Sequence, residues 1–261
     1  MKSFARILLF SLLLCPALVS GADIKELYSD HFIIISDKSI NQDELYKIKD
    51  MAEKYYKVVT QEFNFIRNEP WLWKNRARIF VAKDKEEYAA EYNCPSWSNA
   101  CVDYQGKRIF TYPQQENFSS TLSHELTHII FREYIGKGQL PLWLDEGMAV
   151  YVANKYKKDK SNKSFAFLKQ KIRKGTYIKF SELNSITLAE LKTKPKDYID
   201  TFYLESFSII EFLVRKWSRY NLSNFFKFLK GGYSVADSFR KSYDIKTLDE
   251  LEKKWIRFYQ R

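Results

Sequence analysis

Histidine occurs three times in the chain, at His31, His124 and His128. Two of these fall in His124-Glu125-Leu126-Thr127-His128, inside a pattern whose apolar positions include Phe118, Leu122, Leu126 and Ile129. That periodicity predicts a helix over Phe118–Ile135. On a helix, positions i and i+4 lie about 40° apart around the axis and roughly one turn along it, so both imidazoles reach one tetrahedral metal ion. Glu125 points to the side of that pair, where its carboxylate meets a water on the metal rather than the metal itself. A catalytic zinc site generally takes three protein ligands and keeps one position open, so a third ligand is needed. His31 falls in an early strand pattern and reads as structural. A carboxylate is the better candidate. Gly136-Lys137-Gly138 breaks the first helix, Pro141 suits the first turn of a second, and Leu142-Trp143-Leu144-Asp145-Glu146-Gly147-Met148-Ala149 follows. A helix returning antiparallel after that short turn brings Glu146 beside His128. Asp145 is the competing ligand, because periodicity alone does not decide which acid turns inward. Gly147 costs about 1 kcal/mol relative to Ala in a helix interior, a cost that fits a close approach of two helices.

The elements that must position these residues fall in two blocks. His31-Phe32-Ile33-Ile34-Ile35, Arg78–Ala82 and Lys107–Tyr112 are apolar, β-branched runs that predict strands, the last stopped by Pro113. Ser39 with Gln42 predicts a helix start reaching to about Thr60, and Asp84 with Glu87 opens a short helix. From Phe118 onward the periodicity is helical, over Phe118–Ile135, Pro141–Lys155, Thr187–Leu191, Tyr203–Trp217, Ser223–Leu229, Val235–Ser242 and Thr247–Tyr259. Strands first and helices afterwards argue for an α+β fold, a small mixed sheet packed on a mostly helical half with the metal site between them.

The chain has 261 residues and a formal charge of +11, with 45% hydrophobic and 17% aromatic residues and few glycines and prolines. That composition excludes a disordered, collagen-like or disulfide-scaffold chain, and the only long apolar run is N-terminal. Lys2 and Arg6, the apolar stretch Ile7–Val19 and the small residues Ser20-Gly21-Ala22 have the layout of a secretory signal peptide. Residues 1–22 are therefore expected to be removed. They leave 23–261 as one domain, with a mixed part over about 23–117 and a helical part over about 118–261. The expected location is periplasmic or secreted, with lipid anchoring through Cys15 the lesser option because bulky Leu14 precedes it. Cys94 and Cys101 then lie in an oxidising compartment and are expected to form a disulfide. Between Asn154 and Lys174 the chain carries nine cations against one acid, Asp159. This reads as a solvated face, or as a patch for an anionic envelope surface. No nucleic-acid module accompanies it, so no nucleic-acid partner is expected.

His124-Glu125-Leu126-Thr127-His128 and Trp143-Leu144-Asp145-Glu146-Gly147-Met148-Ala149 resemble the zinc motifs of the gluzincin metallopeptidases. The resemblance is to the bacterial peptidase MA-like domains, relatives of the thermolysin and aminopeptidase-N catalytic domains. Weaker matches are Pro95-Ser96-Trp97 with Arg108-Ile109-Phe110, Tyr203-Leu204-Glu205-Ser206-Phe207 as a Tyr-x-x-Ser helix start, and Leu251–Trp255. The resemblance implies one zinc ion held by His124, His128 and Glu146, with Glu125 as general base. It implies Tyr203 as the phenol that hydrogen-bonds the oxyanion, with Tyr198 in reserve. It also implies peptide or protein substrates and an extended peptide pairing with the strand near Ile109–Tyr112. Two departures stand out. Thermolysin-like relatives carry an Asp four residues after the third ligand, where this chain has Val150. The aminopeptidase amine-gripping motif is also lacking upstream of His124. Two alternatives stay open: a non-catalytic envelope scaffold that keeps the fold, and a zinc hydrolase of a non-peptide cell-wall amide.

Overall fold

The computed structural model describes residues 24–65, 71–92, 94, 98–138, 140–157 and 163–260. The expected signal peptide and Pro95-Ser96-Trp97 lie outside the described residues. The chain divides into two compact units, one of residues up to Val59 with Ile66–Ile129, the other of Thr60–Phe65 with Ile130–Arg261.

The first unit is built on a five-stranded sheet of β1 (Ile24–Tyr28), β2 (Phe32–Asp37), β3 (Ala77–Val81), β4 (Ala100–Asp103) and β5 (Arg108–Thr111), in the order β1-β2-β3-β5-β4. β2, β3 and β5 are parallel, and β1 and β4 close the edges antiparallel. Parallel neighbours need crossover connections. Helix α1 (Gln42–Glu62) lies between β2 and β3, and α2 (Lys85–Glu91) follows β3 before the β4–β5 hairpin. The three central strands are the ones the apolar runs predicted. The edge strands escaped that reading because Ile24–Tyr28 carries two adjacent charges in five residues and Ala100–Asp103 is only four residues long.

Helix α1 buries a single stripe of Leu45, Ile48, Ala52, Tyr55, Tyr56 and Val59, the period of an amphipathic helix. Its start differs from expectation. Asn41 Oδ1 accepts the Asp43 N–H at 2.9 Å, while the Ser39 N–H is taken by the Asp37 side chain. Asp84 caps α2 as expected, accepting the Glu87 N–H at 2.9 Å. On one face of the sheet Phe32 meets Tyr56 and Trp71 edge-on, at 6.0 and 5.7 Å. On the other, Phe80 stacks on Phe110 at 5.0 Å within a cluster that holds Tyr88, Tyr112 and the Cys94–Cys101 disulfide. His31 is structural, its Nδ1 2.7 Å from Glu53 Oε2 and its ring stacked on Tyr56.

Helix α3 (Phe118–Ile135) runs unbroken from the first unit into the second. The second unit continues with α4 (Leu142–Asn154), α5 (Lys163–Lys174), α6 (Phe180–Ser185), α7 (Leu188–Thr193), α8 (Lys196–Lys216), α9 (Arg219–Lys230), α10 (Val235–Tyr243) and α11 (Leu248–Gln260). Helix α4 is buried on all sides, including Asp145 and Glu146, and packs along α8. Gly147 is what lets it: a Cβ there would lie 2.5 Å from the Ser206 carbonyl oxygen and 2.9 Å from its carbon. Helix α8 begins two turns earlier than the Tyr203 start expected, because Pro195 takes the N-cap position and presets the first turn. Part of the basic stretch is the packed helix α5, which buries Leu168 and Ile172. Lys155 pairs with Glu62 and Lys171 with Asp197, while Arg173 and Lys174 stay exposed.

Glu205 of α8 is fully buried, with both carboxylate oxygens accepting the Ile178 N–H at 3.0 and 3.2 Å. Burial raises its pKa from 4.5 to about 8, helped by Glu252 and Glu182 and opposed by the Ile178 N–H and Lys171. The native state thus keeps a proton that the unfolded chain loses near its ordinary pKa. Stability is therefore fully expressed below that ordinary value and falls as pH rises through about 8. In thermal melts between pH 5 and pH 9, Glu205→Gln is expected to lose distinctly less stability than the wild type.

Candidate metal centre

His124 and His128 stand one turn apart on α3, and both are buried. Their Nε2 atoms are 3.0 Å apart, with ring planes inclined by 80°. Local helix geometry alone produces this convergence, as the i, i+4 spacing predicted. Glu146 completes the group. One ligand atom from each of His124, His128 and Glu146 lies within 4.8 Å of the others, and all three residues are buried.

Asp145, the competing acid, is committed elsewhere. Arg132, one turn beyond His128 on α3, donates to Asp145 Oδ2 through Nε at 2.8 Å and approaches it through Nη2 at 2.6 Å. The Asp145 side chain is 2% exposed, and two guanidinium nitrogens converge on its Oδ2 in a charge-assisted contact. Because α3 is continuous, the same helix that carries the histidines fixes the first turn of α4 through Arg132. Adjacent side chains on a helix diverge by about 100°, so clamping Asp145 on Arg132 turns Glu146 toward a different side. Arg132 was missed in the sequence reading. The signal was its position four residues after His128, the next step of the same helical stripe.

Glu125 is also buried. The Tyr88 phenol is held well above its ordinary pKa, first by burial, and the nearby Glu125 charge adds to that rise. Tyr88 and Ser98 share a buried 2.6 Å hydrogen bond. Tyr203 is half-buried on α8, one turn before the Ser206 that Gly147 packs against. Its ring meets Phe202 edge-on at 5.6 Å. Tyr198, the reserve, hydrogen-bonds Glu182 at 2.7 Å. The strand near Ile109–Tyr112 is not open to a substrate. β5 is flanked by β3 and β4, and the edge on that side is β4.

The donor set fits a zinc ion. Two imidazole nitrogens and a carboxylate oxygen are borderline-to-hard ligands of the kind zinc takes in three-ligand sites. Zinc–nitrogen bonds of about 2.0–2.1 Å separate two ligands on a tetrahedral ion by roughly 3.3 Å, close to the observed nitrogen spacing.

The family model described as the Peptidase MA superfamily matches residues 98–260, a span that contains the metal-ligand group, α4 and every helix after it. The chain belongs to the peptidase MA superfamily. No curated protein matches the chain at a significant level. Membership in the peptidase MA superfamily implies peptidase activity, and the His124, His128 and Glu146 group could hold its metal.

Replacing Arg132 with Met would leave the Asp145 carboxylate buried without its cation. The expected cost is on the order of 2 kcal/mol in urea unfolding. Zinc binding, measured by chelator competition, is expected to weaken in parallel. Asp145→Asn, which keeps an acceptor for Arg132, is expected to cost less on both counts. A folded Arg132→Met protein with unchanged zinc affinity would show that the pair does not position Glu146.

Proposed function

We propose that the chain is an exported zinc metallopeptidase that hydrolyses peptide bonds with Glu125 as general base. The observation that carries this reading is the convergence of His124, His128 and Glu146 ligand atoms within 4.8 Å, next to a buried Glu125, in a peptidase MA chain. His124, His128 and Glu146 would hold the zinc, which when bound supplies Lewis acidity and brings the pKa of water toward neutrality. Glu125 takes the proton from the attacking water and returns it to the departing amine. Its burial removes competing solvent and strengthens each of those proton contacts. Tyr203 donates its phenolic hydrogen to the oxyanion of the tetrahedral intermediate.

An extended peptide is best received by strand addition at β4, the edge strand of the described sheet beside β5. The disulfide from Cys94 ends on this strand at Cys101, and Asn99 just before it accepts hydrogen bonds from Thr111, Tyr112 and Gln115. These contacts keep the edge preorganised for an incoming chain. Among the described residues of the basic stretch, the exposed Arg173 and Lys174 of α5 would meet an anionic envelope surface.

The test is digestion of an unbiased peptide mixture by the zinc-loaded protein. The wild type is expected to cut. Glu125→Gln is expected to bind zinc equally and to lose about 10²–10⁴-fold in kcat. Wild-type protein that holds zinc but cuts no peptide would overturn the reading. Tyr203→Phe removes only a hydroxyl, and steady-state kinetics are expected to show kcat reduced by about 10–100-fold at nearly constant KM.

A further inference from the structure

Tyr104 follows directly after β4, in the turn that leads into β5. Aromatic rings in such turns are ordinarily exposed, yet the Tyr104 hydroxyl is inaccessible to solvent and its ring meets the His128 imidazole. The centroids are 6.3 Å apart and the planes are inclined by 85°, an edge-to-face contact.

The turn that presents Tyr104 is held from several sides. Asp103 Oδ1 accepts the Gly106 N–H at 3.1 Å, and Asp103 Oδ2 accepts from Arg108 Nε at 2.8 Å. A Cβ at Gly106 would press on the Asp103–Arg108 pair, lying 2.5 Å from both Arg108 Nε and Asp103 Oδ2. Lys107 closes the turn with φ of 50°, its carbonyl accepting the Arg78 N–H at 2.9 Å and its Nζ donating to the Asn75 carbonyl. A left-handed backbone at a non-glycine residue persists only where surrounding contacts hold it. The outcome is a rigid hairpin end that delivers one aromatic ring onto one histidine.

A histidine ligand needs its ring plane fixed as well as its Cα position, because rotation of the imidazole swings the donor nitrogen out of place. Helix α3 fixes the Cα of His128, the i, i+4 contact with His124 meets one part of its ring, and the Tyr104 edge-to-face contact meets it from the hairpin. We infer that Tyr104 is a positioning residue that holds the His128 imidazole in its metal-binding orientation. The inference rests on the zinc reading above. It also ties β4, the edge offered to substrate, to one of the ligands by a single residue step.

The experiment compares the full-length wild type with Tyr104→Phe and Tyr104→Leu. It measures zinc dissociation constants by chelator competition, visible spectra of the cobalt(II) forms, and melting temperatures of the metal-free proteins. Tyr104→Phe keeps the ring, and its zinc dissociation constant is expected to stay within about threefold of wild type. Tyr104→Leu keeps an apolar side chain without the ring, and is expected to bind zinc about 10–100-fold more weakly with an altered cobalt spectrum. A role in packing alone would lower the melting temperature and leave the cobalt spectrum and zinc affinity unmoved, and that result would overturn the inference. Equal losses in Tyr104→Phe and Tyr104→Leu would overturn it too, by assigning the effect to the hydroxyl. Failure of the wild type to bind either metal would instead overturn the zinc reading on which it rests.

Discussion

Two carboxylates side by side on one buried helix are tolerable only if each finds its own source of positive charge or hydrogen bonds. Asp145 and Glu146 stand in that position on α4, and the arrangement around them follows from how the conflict is resolved. Arg132 takes Asp145 in a two-point contact, and Glu146 is turned to the imidazoles. Arg132 belongs to the same continuous helix as His124 and His128, so one rigid rod sets both the donor pair and the cation that orients the third ligand's helix.

The rest of α4 obeys a second constraint, close backbone approach to α8. Gly147 meets the Ser206 carbonyl at a distance that admits no Cβ, so the helix that carries Glu146 is seated by a contact one residue away. The hydroxyls on that part of α8 do not disturb the packing. Ser206 donates to the Phe202 carbonyl and Ser208 to the Glu205 carbonyl, and Ser208 Oγ in turn accepts from Trp255 Nε1 at 2.9 Å. Back-bonding of this kind satisfies a buried hydroxyl without a partner from outside the helix. A costly group on α8 is Glu205, whose raised pKa reflects a carboxyl buried with the Ile178 N–H as its hydrogen-bond donor.

In the first unit the sheet plays the corresponding part. Parallel β2, β3 and β5 supply a stiff centre, with one face of β2 and β3 buried and the other partly covered, and the short antiparallel strands take the edges. The β4–β5 hairpin therefore forms one edge of the described sheet and, through Tyr104, is in ring contact with His128. The disulfide and the Asn99 hydrogen bonds hold a short strand in register where four residues of pairing would leave it weak.

Much of this molecule was legible in the sequence because it depends on local periodicity. The i, i+4 histidines, the extent of α3, the three central strands and the capping of α2 by Asp84 all follow from geometry within a few residues. The features that escaped share the opposite property. The seating of Asp145 on Arg132, the placement of β4 rather than β5 at the edge, the earlier start of α8 and the Tyr104 contact each depend on groups distant in the chain. Helical phase is fixed by 3.6 residues per turn, so the sequence determined which residues share a face. It did not determine which side of a helix buried on all sides would meet which neighbour. Only the packed chain decided that, by giving Asp145 a guanidinium and leaving Glu146 to the histidines.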